Sequence, residues 1–390
     1  MATKFDVVIV GARCAGAATA LLLARAGARV LVVDKGVYGS DTVSTHALMR
    51  GAVLQLTRWG VLPAVVAAGT PPVRSTTFSY TSDETTVAIE PRYGVDALYA
   101  PRRTVLDRIL VDAAMESGVE FEYGVQVRDI RMDGRGRLRA IETGRLGLLE
   151  AGLIVGADGL HSTIARLVGA WPLFVAHHRT GVLYGYWENL PADGFYWGYR
   201  PSASVGVIPT NGNASLVFVS WPSQKFEETV RGDVPGAFRR LIRETFPVLD
   251  DQLATARPVE RIRGFGGHIG FIRKSAGNGW ALVGDAAYFK DPLTAHGITD
   301  ALRDAELLAN AIGEGSDGAL ADYQEQRDSS SLDVFESTDA IASFNWDLIS
   351  VRALHERLAK AMSREVKALL AGQKADGKGQ REVTSPLAPQ

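Results

Sequence analysis

Two unbroken apolar runs stand near the start of the chain, Val7 to Val10 led in by Phe5, and Val30 to Val33 led in by Arg29. Runs this short and continuous predict strands buried on both faces, as in a parallel sheet. Between them an Ala/Leu-rich stretch over 15–26 predicts a helix, closed by Gly27. Gly11 and Gly16 bracket the turn from strand to helix, and Asp34 ends the second strand about 20 residues further on. Residues 5–35 thus form a β-turn-α-β unit suited to a dinucleotide. Backbone amides at the helix start match a pyrophosphate, and Asp34 matches two ribose hydroxyls. The middle glycine of the usual G-x-G-x-x-G is Arg13. Three readings stay open for it: a Cβ that crowds the diphosphate, a guanidinium that clamps it, or a solvated loop side chain. The spacing alone does not separate NAD from FAD.

The periodicity then changes several times. Leu48, Val53, Leu54, Leu56 and Trp59 give a helix with one buried face, Thr45 as its cap and Gly60 as its stop, with His46 and Arg50 on its first turns. Two strand-like runs lie within 75–89 around a Ser82-Asp83-Glu84 turn, and a helix is expected over 99–116. β-rich runs flank Asp133-Gly134-Arg135-Gly136, as in a small antiparallel ribbon, ahead of a short buried strand at 153–155. Over 171–264 aromatic and β-branched residues dominate in short pieces, which predicts an antiparallel sheet with one packed and one polar face. One helix is expected over 235–246, stopped by Pro247, and a buried strand over 280–283. Helical periodicity follows to about Leu370, and the Gly-, Lys-, Ser- and Pro-rich end predicts a disordered tail.

Composition narrows the classes. A net charge of −2 offers nothing to a nucleic acid, and no apolar run is long enough to span a bilayer. The first strand begins too early to leave room for a signal peptide, so a cytoplasmic protein is expected. The single cysteine, Cys14, forms no internal disulfide and reads as a small residue packed in the turn.

Two later stretches carry chemistry. In VGADGLHSTIAR a strand end meets Asp158-Gly159, and Ser162 caps a new helix, which makes a tight turn with outward amides. In WALVGDAAYFKDPLTAHGI a strand ends at Gly284-Asp285, where a carboxylate accepts from a ribityl or ribose hydroxyl. Pro292 stiffens the loop, and Gly297 with Ile298 starts a helix whose amides suit a delocalised anion.

Taken in this order, the three motifs resemble the FAD motifs of aromatic-hydroxylase-type flavoproteins. That group also holds flavin-dependent halogenases and geranylgeranyl-reductase-like enzymes. The resemblance spans residues 5 to about 313 and implies FAD as cofactor with NAD(P)H as co-substrate. It implies an α/β fold: a Rossmann-like FAD-binding domain from 1–72, 100–170 and 265–315, and an antiparallel-sheet substrate domain from 73–99 and 171–264. C-terminal helices over 316–372 and a tail over 373–390 follow. By the same resemblance Gly11, Arg13 and Gly16 meet the pyrophosphate, and Asp34 with Lys35 the adenosine ribose. Arg50 and Arg103 lie near the flavin, Asp158 in a motif tied to FAD and transient NAD(P)H binding. Gly284 and Asp285 meet the ribityl and pyrophosphate region, and Gly297 and Ile298 the flavin N1–O2 edge.

The departures narrow the reaction. GYWENLP and WGYRPSASVGVIP lack the W-x-W-x-I-P of the halogenases, which demotes halogenation. DPLTAHGI resembles the DP-x-T-G-x-G-I of the reductase-like members, with Ala295 and His296 where glycine and an acid often stand. The expected activity is monooxygenation of an aromatic or polyketide-like small molecule with molecular oxygen, through a flavin hydroperoxide. A reductase or dehydrogenase of an apolar substrate is the alternative, and a non-catalytic flavin-binding protein a further one. In such enzymes the flavin carries the chemistry. His296 and His46 are the candidates for a titrating group beside the ring, each against the reading of an ordinary helix-start histidine. His177-His178 lacks further ligands, so no metal is expected. Some of Tyr184, Tyr186, Trp187, Tyr196, Trp197 and Tyr199 are expected to line the substrate cavity. Oligomeric state is left open.

Overall fold

In the computed structural model, which describes residues 4–81, 83–314 and 318–379, the Phe5–Val10 strand is the centre of a parallel sheet. It pairs with Val30–Asp34 on one side and Gly147–Gly156 on the other. Trp280–Leu282 and Glu120–Tyr123 extend the two flanks, also in parallel. Val8, Ile9, Val32 and Val33 have no exposure, because helices or the Val127–Met132/Leu138–Thr143 ribbon cover both faces. The Cys14–Arg25 helix packs between helices Arg103–Glu116 and Gly297–Glu314. Its alanines Ala17, Ala18 and Ala20 are fully buried and leave room for that approach. At Gly16 an added Cβ would meet Gly11 O at 1.8 Å, so glycine is required for the helix start to fold over its own turn.

The second sheet runs, in spatial order, Arg257–Pro258, Thr180–Glu188, Ala214–Pro222, Ser204–Thr210, Phe195–Tyr199, Ser75–Tyr80, Asp83–Ala88, with Arg263–Phe265 also on Thr180–Glu188. Its pairs are antiparallel except Phe195–Tyr199 with Ser75–Tyr80, which is parallel. The expected polar face is not there. Alternate residues go to two cores: Val182, Tyr184 and Tyr186 inward, and Leu183, Trp187, Val217 and Val219 outward. Helices Val234–Thr245 and Pro247–Thr255 cover the outer face, with Phe238 stacked on Trp187 at 5.1 Å. Pro247 therefore starts a second helix as well as ending the first, in the position where its missing N–H costs nothing.

A three-stranded sheet of Tyr288–Phe289, Phe271–Arg273 and Pro172–Val175 bridges the two halves. Beside it the Asp291 carboxylate accepts from Thr180 N at 2.6 Å and Thr180 Oγ1 at 2.8 Å. The helix expected from Thr45 begins only at Arg50. Leu48 N donates to Tyr99 O at 2.8 Å, which keeps that stretch extended and puts His46 at φ +44°, off the helix. The Ala319–Ala342 and Leu348–Gly379 helices close the fold, the last running into the stretch expected to be a tail. Residues 380–390, and Ser82 of the expected turn, lie outside the described residues. Among the described residues no helix is long and apolar enough to cross a membrane.

Candidate functional site

A cavity of about 600 Å³ opens along the C-terminal ends of the parallel strands and reaches the inner face of the second sheet. Gly11, Arg13, Asp34, Lys35, Arg103 and Asp158 line one part of it, and Asp285, Gly297 and Ile298 another. Val182, Tyr184 and Phe265 form the far wall. Four residues proposed from the sequence are not in the lining: Gly16, Arg50, Gly284 and His296. Gly16 and Gly284 act through packing: a Cβ on Gly284, at φ +59°, would sit 2.9 Å from Ala15 Cβ. Arg50 donates to the carbonyls of Glu90, Arg92 and Val95.

The turn after the first strand fits a diphosphate. Gly11 has φ +110°, and a Cβ there would meet Ala157 O at 2.3 Å. The helix that follows has no side-chain cap, so its first amides remain free toward the cavity. The Arg13 guanidinium donates to Asp41 O at 3.1 Å and lies 3.5 Å from Asp107 Oδ2. Its head is thus engaged by the neighbouring loop. Asp34 accepts from Ala12 N at 2.7 Å and Gly36 N at 2.6 Å, which fixes both loops around it and leaves each oxygen a second lone pair.

Arg103 is buried against Asp107, at 3.0 and 2.9 Å, with Cys14 Sγ 3.5 Å away. Burial pushes the Cys14 thiol up to about 11 despite that cation, so it is a packed, protonated group. Asp158 accepts from Ser162 Oγ at 2.5 Å and Thr163 N at 2.6 Å, tying the cavity wall to the Thr163–Leu167 helix. Its burial raises the carboxyl against the pull of those donors. The Asp285 carboxylate stands on the open wall of the cavity. The surrounding protein pushes it up to about 6, while Arg103 and Lys290 pull it down.

Neither candidate histidine is free. His46 lines the cavity, but its Nδ1 lies 3.1 Å from Ala100 O and its Nε2 3.1 Å from Tyr186 Oη. A carbonyl only accepts, so Nδ1 carries the proton and Nε2 takes the tyrosine's. Burial and the nearby Arg102 push His46 down to about 3, so it stays neutral. His296 faces away from the cavity, its Nε2 2.7 Å from Glu365 Oε2, and burial lowers it although Glu365 pulls upward. It is neither at solvent nor in the lining, which its neighbours Ala295, Gly297 and Ile298 form. His296, Asp300 and Glu365 come close enough together to hold a metal ion. Arg303, however, already binds Asp300 at 3.0 Å and Glu365 at 2.8 Å, and Lys290 holds the other Asp300 oxygen. That makes the cluster an internal ion network.

Lys290, Tyr288 and Asp300 also line the cavity and were not proposed from the sequence. Lys290 stood in the third motif, between Phe289 and Asp291, but its partner Asp300 lay ten residues on along a helix.

This arrangement is that of a flavin-binding oxidoreductase, with Gly11, Cys14, Asp34, Arg103 and Asp285 on one cavity lining. Residues 4–338 match the FAD binding domain family, and the chain belongs to that family. A 183-residue stretch is 31% identical to the probable electron transfer flavoprotein-quinone oxidoreductase YdiS of Escherichia coli, covering 45% of this chain and 41% of that one. Over 382 residues the chain is 28% identical to digeranylgeranylglycerophospholipid reductase 1 of Methanopyrus kandleri, covering 87% of this chain and 90% of that one. Among solved structures it superposes on the flavin-dependent brominase Bmp2 with a TM-score of 0.79 at 17% identity, covering 93% of each chain. It also superposes on PqsL, a probable FAD-dependent monooxygenase from Pseudomonas aeruginosa, with a TM-score of 0.73 at 20% identity, covering 92% of this chain and 99% of that one. At those identities the two structures support the fold alone.

Proposed function

We propose that the chain is an FAD-dependent monooxygenase that draws on NAD(P)H and molecular oxygen to hydroxylate or epoxidise an aromatic or polyketide-like small molecule in the cytoplasm. The observation that carries this reading is the continuity of the cavity from Asp34 to the wall of Val182, Tyr184 and Phe265, which gives a cofactor and an apolar substrate one shared space. Bound FAD supplies hydride uptake and oxygen activation. The protein orients and dries the site. The first helix start and Arg103 hold anionic groups, and Asp285 accepts from hydroxyls. The spent His46–Tyr186 pair keeps the substrate-side wall uncharged, and Tyr288, Phe265 and Phe289 exclude water. No imidazole base is required of this site, since His46 is bonded on both ring nitrogens and held neutral by burial, and His296 stands outside the lining.

The test is turnover with NAD(P)H under labelled dioxygen, followed by product mass. One labelled atom in product supports the monooxygenase. Turnover that continues without oxygen and changes the product only by hydrogens overturns it in favour of a reductase or dehydrogenase. That second reading is favoured by the likeness to a reductase over most of both chains. Halogenation stands lower, because GYWENLP and WGYRPSASVGVIP lack the tryptophan motif and the brominase likeness is one of fold.

A further inference from the structure

Four lysine and arginine side chains line the cavity, and three of them, Arg13, Lys35 and Arg103, belong to the first strand-helix-strand unit or the helix packed on it. Lys290 stands apart. It follows Phe289, which pairs with Phe271, and precedes Asp291, whose carboxylate holds Thr180. Thr180 opens the strand that brings Val182 and Tyr184 to the cavity. Lys290 therefore sits where the parallel sheet meets the substrate sheet, away from Asp34. With an adenosine ribose at Asp34, the reactive ring of the cofactor comes to the Lys290 end.

The Lys290 side chain is only 4% exposed. Its ammonium is bonded to Asp300 and lies 4.8 Å from the centre of the Tyr288 ring. The other Asp300 oxygen holds Arg303, which lies behind the cavity wall and is bound by Asp304 and Glu365 as well. Asp300 is thus divided between two cations, with Lys290 on the cavity side. A buried ammonium that half-shares its counter-ion is a costly way to fill space, and an apolar side chain packs there at no electrostatic expense. Its position at the ring end gives that charge a use.

We propose that Lys290 is the electrostatic partner of the reduced flavin ring, presenting the positive charge that holds the two-electron-reduced cofactor as an anion. Hydride from a nicotinamide donor delivers two electrons and one proton, so the ring gains one negative charge. Lys290 makes and breaks no bond in that step. The inference rests on FAD as the cofactor and is indifferent to whether oxygen or a double bond is the final acceptor. Burial and Arg303 bring the Lys290 amine down to about 7, while Glu365, Asp285 and Asp304 pull it upward. Asp300 is its bonded partner, burial pushes the facing Tyr288 hydroxyl well up, and burial lowers the neighbouring His296 against the upward pull of Glu365.

The test is the midpoint potential of bound FAD, titrated against a reference dye from pH 6 to pH 9, in wild type, Lys290→Met and Lys290→Arg. At pH 6 Lys290→Met should disfavour reduction at least tenfold, about 30 mV for a two-electron couple, while Lys290→Arg stays within about threefold of wild type. Above about pH 7 wild type should fall away from Lys290→Arg as its amine loses its proton. A Lys290→Met potential equal to wild type at pH 6 overturns the proposal. So does an equal drop in Lys290→Arg, which marks packing rather than charge. If Lys290→Met sheds its FAD, coincidence of wild type and Lys290→Arg across the whole range overturns it instead. Wild-type protein that takes up no FAD overturns the cofactor reading and this inference with it.

Discussion

Asp285→Ala separates what the cavity does for a cofactor from what it does for the fold. The carboxylate stands exposed on the cavity wall, and among the described residues no side chain or amide bonds to it. The surrounding protein raises it from 3.8 to about 6. A shift of that size corresponds to at most about 3 kcal/mol, and exposure to the cavity reduces it to about 1 kcal/mol. The sign follows from linkage. Because the folded value lies above the unfolded one, ionisation favours the unfolded chain, and the ionised group costs the empty protein stability at neutral pH. That cost is absent below about pH 4, grows between about pH 4 and 6, and is complete above. The cofactor-free variant should therefore melt about 1–2 °C higher than wild type at pH 7 and together with it at pH 4. Its affinity for FAD should move the other way, since a charged hydrogen bond is worth about 1.5–3 kcal/mol, or roughly 10- to 150-fold. Thermal melts of the cofactor-free proteins and flavin fluorescence titration read the two effects separately. Unchanged FAD affinity, or a cofactor-free variant that melts lower at pH 7, would refute the reasoning.

Three further outcomes are expected. Arg13→Ala and Arg13→Gly should each bind FAD within about tenfold of wild type, because the guanidinium is already bonded to the Asp41 carbonyl; a hundredfold loss in either would restore a direct clamp. His46→Phe should cost about 1–3 kcal/mol in urea unfolding, because the Tyr186 hydroxyl loses its acceptor, and should leave the shape of the pH-rate profile intact; a lost inflection would make His46 a working base. Glu365→Ala should cost about 3–5 kcal/mol by leaving Arg303 and His296 short of a buried partner. Glu365 is pulled down to about 2 in the folded protein, so its contribution is present above 4.5 and is lost as pH falls from there toward 2; acid unfolding that is identical in the variant would contradict this.

The parallel half of the molecule was legible in the sequence because its signals are local. Val7 to Val10, the glycine-bracketed turn and Asp34 lie within thirty residues, and each is read from its neighbours. The second sheet was legible as a sheet but not as a two-sided core. What covers its outer face is Phe238 on Trp187 and Phe246 beyond, contacts made by helices that follow the strands by tens of residues. The partners of the two histidines were illegible for the same reason. Nothing near His46 announces Ala100 or Tyr186, and nothing near His296 announces Glu365, so a residue poised to titrate in sequence is buried and bonded in space. Arg50 likewise reads as a cavity arginine until the 90–95 carbonyls are seen around it.

The three motifs stop near residue 313 and the family match ends at 338. Yet the cavity wall at Lys290 and at 295–300 is braced from outside that span. Glu365 reaches from the Leu348–Gly379 helix to Arg303 and His296, Arg303 in turn holds Asp300, and Asp300 holds Lys290. Arg58 of an early helix donates to Leu369 O at 3.1 Å, so the same late helix is also tied to the elements beside the first motif. Buried ion networks of this kind add little net stability over apolar packing, but they fix where their members sit. A helix without any cofactor motif therefore sets the position of Lys290 in the cavity wall.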